Sequence, residues 1–282
     1  MATETIDAYR GASRAIAEQI APTWARRRGD IEQVMAPVRT WMIRELRPQP
    51  GQTGLELAAG VGDTGFEVAG LIGERGRLIC SDFSEAMLGA ARRRGSELGT
   101  SNVEYRAIDG ERIDLDSDSV DAVLCRLGYM LMADPAAALA ETRRVLRAGG
   151  RLTLAVWGAP ERNPFFTAAA MALVQRGHME PPQPGGPGIF AMASEQRTRA
   201  LLAGAGFDDV RIEDVAVRFA IPDAEEYVQV VADTAGPLAV TLQALPDAER
   251  AAVTAQCAAA LERCATPSGY EIPGIALCAV AR

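Results

Sequence analysis

Three glycines and three acidic residues are spaced in this chain so as to hold a nucleotide-like ligand. Gly60-Val61-Gly62-Asp63-Thr64-Gly65 satisfies Gly-x-Gly-x-x-Gly. In that pattern the missing side chains let backbone N–H groups and a positive helix N-terminus approach the ligand closely. Asp82 follows about twenty residues on, where a carboxylate can accept from ribose hydroxyls. Taken alone, this is the fingerprint of an NAD(P)-dependent oxidoreductase. Glu56, four residues before Gly60, points elsewhere: a pyrophosphate gains nothing from a nearby carboxylate, whereas a cationic ligand does. Asp109, followed by Gly110, is a third acid in a comparable place.

The elements that must position these residues are readable from periodicity. Leu55–Ala58 is expected as a short buried strand and Thr64–Leu71 as a helix. The alternation continues with strand Arg77–Cys80, helix Ser84–Leu98 capped by Ser84, strands Val103–Ile108 and Val120–Cys125, helix Pro135–Leu146 ended by Gly149–Gly150, and strand Arg151–Trp157. Such alternation predicts an α/β fold, a doubly wound parallel sheet with helices on both faces. Residues 4–47 read as helical, with Ile16, Ile20 and Trp24 on one face and Val34, Val38, Trp41, Met42 and Leu46 on another. Further helices are expected from Asn163-Pro164 to Gln175, over Ser194–Ala205, and over Ala224–Thr234 and Asp247–Cys264. Strands are expected at Val210–Ile221 and Ile275–Val280. A Pro/Gly-rich run, Pro181–Gly188, reads as a linker or a lid. The expected division is a helical cap over 1–50, a ligand-binding core over 51–160, substrate-side helices and a lid loop over 161–206, and C-terminal strands with a helical insertion over 207–282.

Composition narrows the function classes. A formal net charge of −8 argues against a nucleic-acid partner, which needs a basic face. The 5 cysteines form no ligand pattern and there is 1 histidine, so no metal site is expected. No apolar run is long enough to span a bilayer, and the first residues lack a signal-peptide pattern, so a cytoplasmic protein is expected.

Five segments in order carry a resemblance. They are Leu-Glu-Leu-Ala-Ala-Gly-Val-Gly at 55–62, Cys-Ser-Asp-Phe-Ser-Glu-Ala-Met-Leu at 80–88, Arg-Ala-Ile-Asp-Gly-Glu at 106–111, Ser-Val-Asp-Ala-Val-Leu-Cys-Arg at 119–126 and Arg-Val-Leu-Arg-Ala-Gly-Gly-Arg-Leu at 144–152. Over roughly residues 50–160 the chain resembles the class I S-adenosylmethionine-dependent methyltransferases, of the group with the ubiquinone and menaquinone C-methyltransferases. The resemblance implies a seven-stranded, mostly parallel, Rossmann-like sheet whose last strand is antiparallel and inserted, with S-adenosyl-L-methionine as cofactor. It also implies roles. Gly60 and Gly62 would let the backbone contact the methionine part and ribose, with Ala58 and Ala59 completing the cofactor-binding turn, and Asp82 would take the ribose hydroxyls. Phe83 and Met87 would flank adenine, with Asp109 accepting from its amino group beside Gly110 and Glu111. Glu56 would orient the glycine loop or reach the cofactor's ammonium through water. Arg126 would border cofactor and substrate. Each has a plainer reading: Glu56 as a cap partner, Asp82 and Asp109 as turn carboxylates, Phe83 and Met87 as core, and Arg126 paired with Asp121 or Glu141.

A sulfonium methyl is already electrophilic, so the implied reaction asks chiefly for alignment of the acceptor in a dry pocket. His178, the single histidine, is the candidate general base. Arg126 and Tyr129 are candidates to hold an acceptor oxyanion. Trp24, Trp41, Tyr129, Met130, Met132, Phe165, Phe166, Phe190, Met192 and Tyr227 are expected to wall an apolar pocket or to pack as core. The expected partner is a small, largely apolar or aromatic methyl acceptor taken by a monomer or dimer, with C- and O-methylation both open. A non-catalytic S-adenosylmethionine-binding protein is the other alternative.

Overall fold

A computed structural model describes residues 3–181 and 186–282. The fold is built on one sheet of eight strands: β1 Thr53–Glu56, β2 Arg77–Asp82, β3 Val103–Ala107, β4 Val120–Arg126, β5 Leu146–Trp157, β6 Arg211–Ile221, β7 Ala265–Thr266 and β8 Gly269–Ala281. They lie in the order β3-β2-β1-β4-β5-β8-β6, with the two-residue β7 paired to β8 alone. The first five are mutually parallel, and β8 runs antiparallel to both β5 and β6. The expected inserted last strand is therefore present, extended by the small β7 hairpin. Leu78, Ile79 and Cys80 are fully buried, as befits strands covered on both faces. Strand order reverses between β1 and β4, and in open α/β sheets ligands bind outside the carboxyl ends of the strands at such a switch point.

Nine helices cover the sheet among the described residues: α1 Thr3–Leu46, α2 Asp63–Ile72, α3 Glu85–Leu98, α4 Pro135–Val145, α5 Pro164–Gln175, α6 Glu195–Gly204, α7 Ala224–Thr234, α8 Pro237–Ala244 and α9 Asp247–Ala260. Residues 3–46 form one continuous helix, despite Pro22 and Pro37 inside it. Its C-terminal half buries Met35, Val38, Trp41, Met42 and Leu46 in the main core. Farther toward the N-terminus, Ile20 and Ala21 cluster with Met87 of α3 and Ala239 of α8. Side-chain ion pairs hold it along its length, among them Arg28–Asp63 at 3.0 Å and Arg27–Asp233 at 2.9 Å.

Some local bounds differ from expectation. Helix α4 ends at Val145 and β5 begins at Leu146, before the glycine pair. The register jumps from Val120↔Leu146 to Ala122↔Arg151, so Arg147–Gly150 form a bulge, with Gly149 at φ 78°. Helix α9 stops at Ala260 because Glu262–Cys264 tighten into a 3-10 turn. Of the Pro181–Gly188 run, residues 182–185 lie outside the described residues, while Gly188 N–H donates to Met130 O at 3.1 Å. Among the described residues no helix is long and apolar enough to cross a membrane.

Candidate functional site

The glycine turn leaves β1 at the switch point. Ala58, Gly60 and Gly62 all have positive φ, at 50°, 57° and 85°. This left-handed backbone favours glycine. No protein atom crowds Gly60, where a Cβ would meet nothing within 4 Å, whereas a Cβ on Gly62 would press on the Phe66 ring. Gly65 is needed for a different reason: a Cβ on it would collide with Glu56 Oε2.

Glu56 is 3% exposed, and its Oε1 accepts from Gly65 N–H at 3.0 Å. The carboxyl thus braces the start of α2 from beneath. Burial pushes its pKa well above the usual carboxylate range, against the pull of the Arg126 guanidinium. Its Oε2 has no partner among the described residues.

Asp82, at the end of β2, is 5% exposed. Its Oδ2 accepts from Gly60 N–H and its Oδ1 from Ser84 N–H, both at 2.9 Å. One carboxylate therefore ties the glycine turn to the start of α3. Burial raises its pKa to about 6, partly offset by those backbone donors.

Beyond β3, Asp109 Oδ1 accepts from Glu111 N–H at 2.9 Å. Glu111 is itself buried, accepting from Ala133 N–H at 2.9 Å and from Arg10. Arg10 Nε also lies 3.9 Å from Asp109 Oδ2. Arg14 stands over the Phe83 ring at 5.6 Å. Glu18 accepts from Glu85 N–H at 2.8 Å and Ala86 N–H at 3.1 Å at the head of α3. The N-terminal turns of α1 therefore cover the Phe83–Asp109 end of the site. Sequence reading did not single out Arg10, Arg14 or Glu18. Their spacing of four puts them on one helix face, but nothing local says what that face covers.

These residues open on a single cavity of about 1250 Å³. Glu56, Ala58, Gly60, Asp82, Phe83, Met87, Asp109, Gly110 and Glu111 line one part of it. Met130, Trp157, Phe165, Phe166, Phe190 and Phe219 line an apolar part, with Trp24, Ile31, Val34 and Met35 of α1 closing it. Arg126, the last residue of β4, also lines the cavity, and its partner is Glu32 of α1. Neither Asp121 nor Glu141 pairs with it: they bind Arg147 and Arg144.

Other expected residues lie elsewhere. Tyr129 is fully buried, its hydroxyl 2.6 Å from Thr142 Oγ1, and it does not line the cavity. The chain leaves β4 through Leu127 at φ 64° and tightens into a 3-10 turn, which turns Met130 to the cavity and Tyr129 to the core. His178 sits past the end of α5 with Nε2 3.0 Å from Glu249 Oε2, outside the cavity lining. Trp41 donates to Glu213 at 2.8 Å, and Tyr227 donates to Phe165 O at 2.6 Å. With Met192, both are wall candidates that the structure places in the core.

Residues 36–173 match the model of the ubiE/COQ5 methyltransferase family. Methyltransferase ktnA of Aspergillus niger is 28% identical over 171 residues, covering 53% of this chain and 55% of that protein. The demethylmenaquinone methyltransferase of Clavibacter sepedonicus is 34% identical over 117 residues, covering 42% and 46%. The chain spans about half the length of these curated relatives. Among solved structures, the YcgJ protein of Bacillus subtilis superposes with a TM-score of 0.59 at 17% identity, over 86% of this chain and 96% of that one. Strand order, glycine turn and family match together make the chain similar to the class I S-adenosylmethionine-dependent methyltransferases, and to the ubiE/COQ5 family along residues 36–173.

Proposed function

We propose that the protein binds S-adenosylmethionine across the glycine turn and transfers its methyl group, by in-line displacement, to a carbon or oxygen of a small, largely apolar or aromatic molecule. The observation that carries this reading is the continuity of the cavity. At about 1250 Å³ it exceeds the roughly 300–1,000 Å³ of a single-ligand pocket, and its two parts differ in chemistry.

The residues present fit the cofactor. The bare backbone at Gly60, which lines the cavity, admits a close ligand, and the buried Asp82 carboxylate has two oxygens for two ribose hydroxyls. Phe83 and Met87 supply apolar surface for adenine, and Asp109 beside Gly110 supplies an acceptor. Glu56 acts through the turn it braces. When bound, S-adenosylmethionine supplies an electrophilic sulfonium methyl. What the chain adds is orientation and exclusion of water by the aromatic wall, with Arg126 as the cation beside an ionised acceptor. Neither Tyr129 nor His178 has a part, since neither reaches the cavity. The acidic net charge supports a small-molecule acceptor rather than nucleic acid, and a cytoplasmic setting suits that chemistry.

Thermal melts with S-adenosylhomocysteine and with NAD test the cofactor. Stabilisation by the former alone is expected, and stabilisation by NAD alone would refute the reading. Labelled methyl transfer to a panel of phenols, enolisable ketones and amines then tests the reaction. Cofactor binding without transfer to any of them would favour a non-catalytic binding protein.

A further inference from the structure

Arg126 is a charged side chain at 10% exposure whose two terminal nitrogens have different fates. Its Nη2 donates to Glu32 Oε1, across from β4 to α1. Its Nη1 is buried and finds no acceptor among the described residues. An ionised donor left unpaired in a dry wall is costly unless an anion arrives to meet it.

Glu32, 12% exposed, does not neutralise Arg126 alone, because its Oε2 accepts from Arg39 Nη1 at 2.5 Å. Arg39 is held in turn by Glu67 Oε2 at 2.9 Å from its Nε. One carboxylate thus serves two guanidiniums, and the other acid that feels Arg126, Glu56, is pushed toward its neutral form by burial, so positive field remains at Nη1. The position suits a ligand as well. Leu124 pairs with Glu56 in the sheet, and Arg126 stands two residues beyond it as Ala58 stands two beyond Glu56. Arg126 lines the same cavity as Glu56, Ala58 and Gly60 of the glycine turn.

We propose that Glu32 and Arg126 form an anion subsite at the carboxyl end of β4. Glu32 holds the guanidinium through Nη2, and Nη1 receives a carboxylate or oxyanion from the molecule in the cavity. Glu32 is a positioning residue and lies outside the residues 36–173 matched by the family model. The subsite rests on the methyl-transfer reading, which supplies two sources of such an anion: the α-carboxylate of the cofactor and the ionised oxygen of the acceptor.

Calorimetry on the wild type, Glu32→Gln, Arg126→Gln and the double variant tests it. The probes are S-adenosylhomocysteine, its decarboxylated analogue and, on the S-adenosylhomocysteine complex, para-nitrophenolate. The double variant removes both buried charges together, and its melting curve reports whether the fold holds. For the probe bearing the anion, Arg126→Gln is expected to weaken binding by about tenfold or more and Glu32→Gln by about threefold. The double variant should match Arg126→Gln, because Glu32 acts through Arg126. If the anion is the cofactor's carboxylate, all four proteins bind the decarboxylated analogue alike. If it belongs to the acceptor, S-adenosylhomocysteine binding is unchanged and nitrophenolate binding carries the effect. Affinities that no variant alters, or effects of the two substitutions that simply add, would overturn the subsite alone. A wild type that binds no S-adenosylhomocysteine overturns the methyl-transfer reading and the subsite with it.

Discussion

Asp82→Asn should change the pH dependence of stability and the binding of cofactor in opposite senses. In the folded protein burial holds the Asp82 pKa at about 6, against 3.8 for the free side chain. Between those values the native state holds a proton that the unfolded chain has released. The stability this confers is complete below about pH 4 and is lost as pH rises through 6. A gap of about two pKa units corresponds to roughly 3 kcal/mol. An asparagine does not ionise, so it avoids that cost at pH 8. It also sets an amide NH2 against one of two backbone donors, Gly60 N–H or Ser84 N–H, which costs about 1–3 kcal/mol. At pH 8 the two effects nearly cancel. What remains is the slope: relative to wild type, the variant should gain about 3 kcal/mol between pH 4 and 7. Urea midpoints at a series of pH values measure this difference directly, with all other carboxylates common to both proteins. Cofactor should reverse the wild-type trend, because two ribose hydroxyls donating to the carboxylate favour its ionised form. S-adenosylhomocysteine should then bind the wild type more tightly above pH 6 than at pH 5, and the variant more weakly at both. Parallel stability curves for the two proteins would refute the argument that Asp82 is a desolvated carboxylate.

Other expectations follow from the same geometry. Gly65→Ala forces a Cβ onto the Glu56 carboxyl and should cost about 1–3 kcal/mol by overpacking, while Gly60→Ala has room but strains a left-handed residue by about 1–2 kcal/mol. Melting curves should therefore fall for both, and only Gly65→Ala should recover in part when Glu56→Ala is added, the clash with Leu78 Cδ2 remaining. His178→Ala should leave methyl transfer within about twofold, since it loses one part-buried contact to Glu249 away from the cavity; a large loss of turnover would return His178 to the chemistry. Tyr129→Phe removes the hydroxyl bonded to Thr142 and should cost about 1 kcal/mol in denaturant melts, with cofactor affinity unchanged in calorimetry.

What the sequence determined by itself is the backbone of the cofactor end. Glycines at fixed spacing, an acid at the end of each of two strands and an alternating strand–helix pattern are local signals, and they specify a switch point with Glu56, Asp82 and Asp109 around it. They do so because φ, turn geometry and capping are set by residues near in sequence. The cap of α3 by Ser84, with Met87 N–H donating to its Oγ at 3.2 Å, is one such case. Only the tertiary structure decided which side chains face the ligand. Tyr129 and Met130 are adjacent, yet a 3-10 turn after Leu127 sends one to Thr142 and the other to the cavity. His178 precedes a segment that lines the cavity, and the end of α5 turns it to Glu249. Helix α1 is the clearest instance. Its sequence shows charged residues at helical spacing, which describe a solvated face as well as a docked one. Arg10 on Glu111, Glu18 on the head of α3 and Glu32 on Arg126 join residues 67 to 101 positions apart. Such pairings depend on how the helix lies across the sheet, and no local pattern encodes that direction.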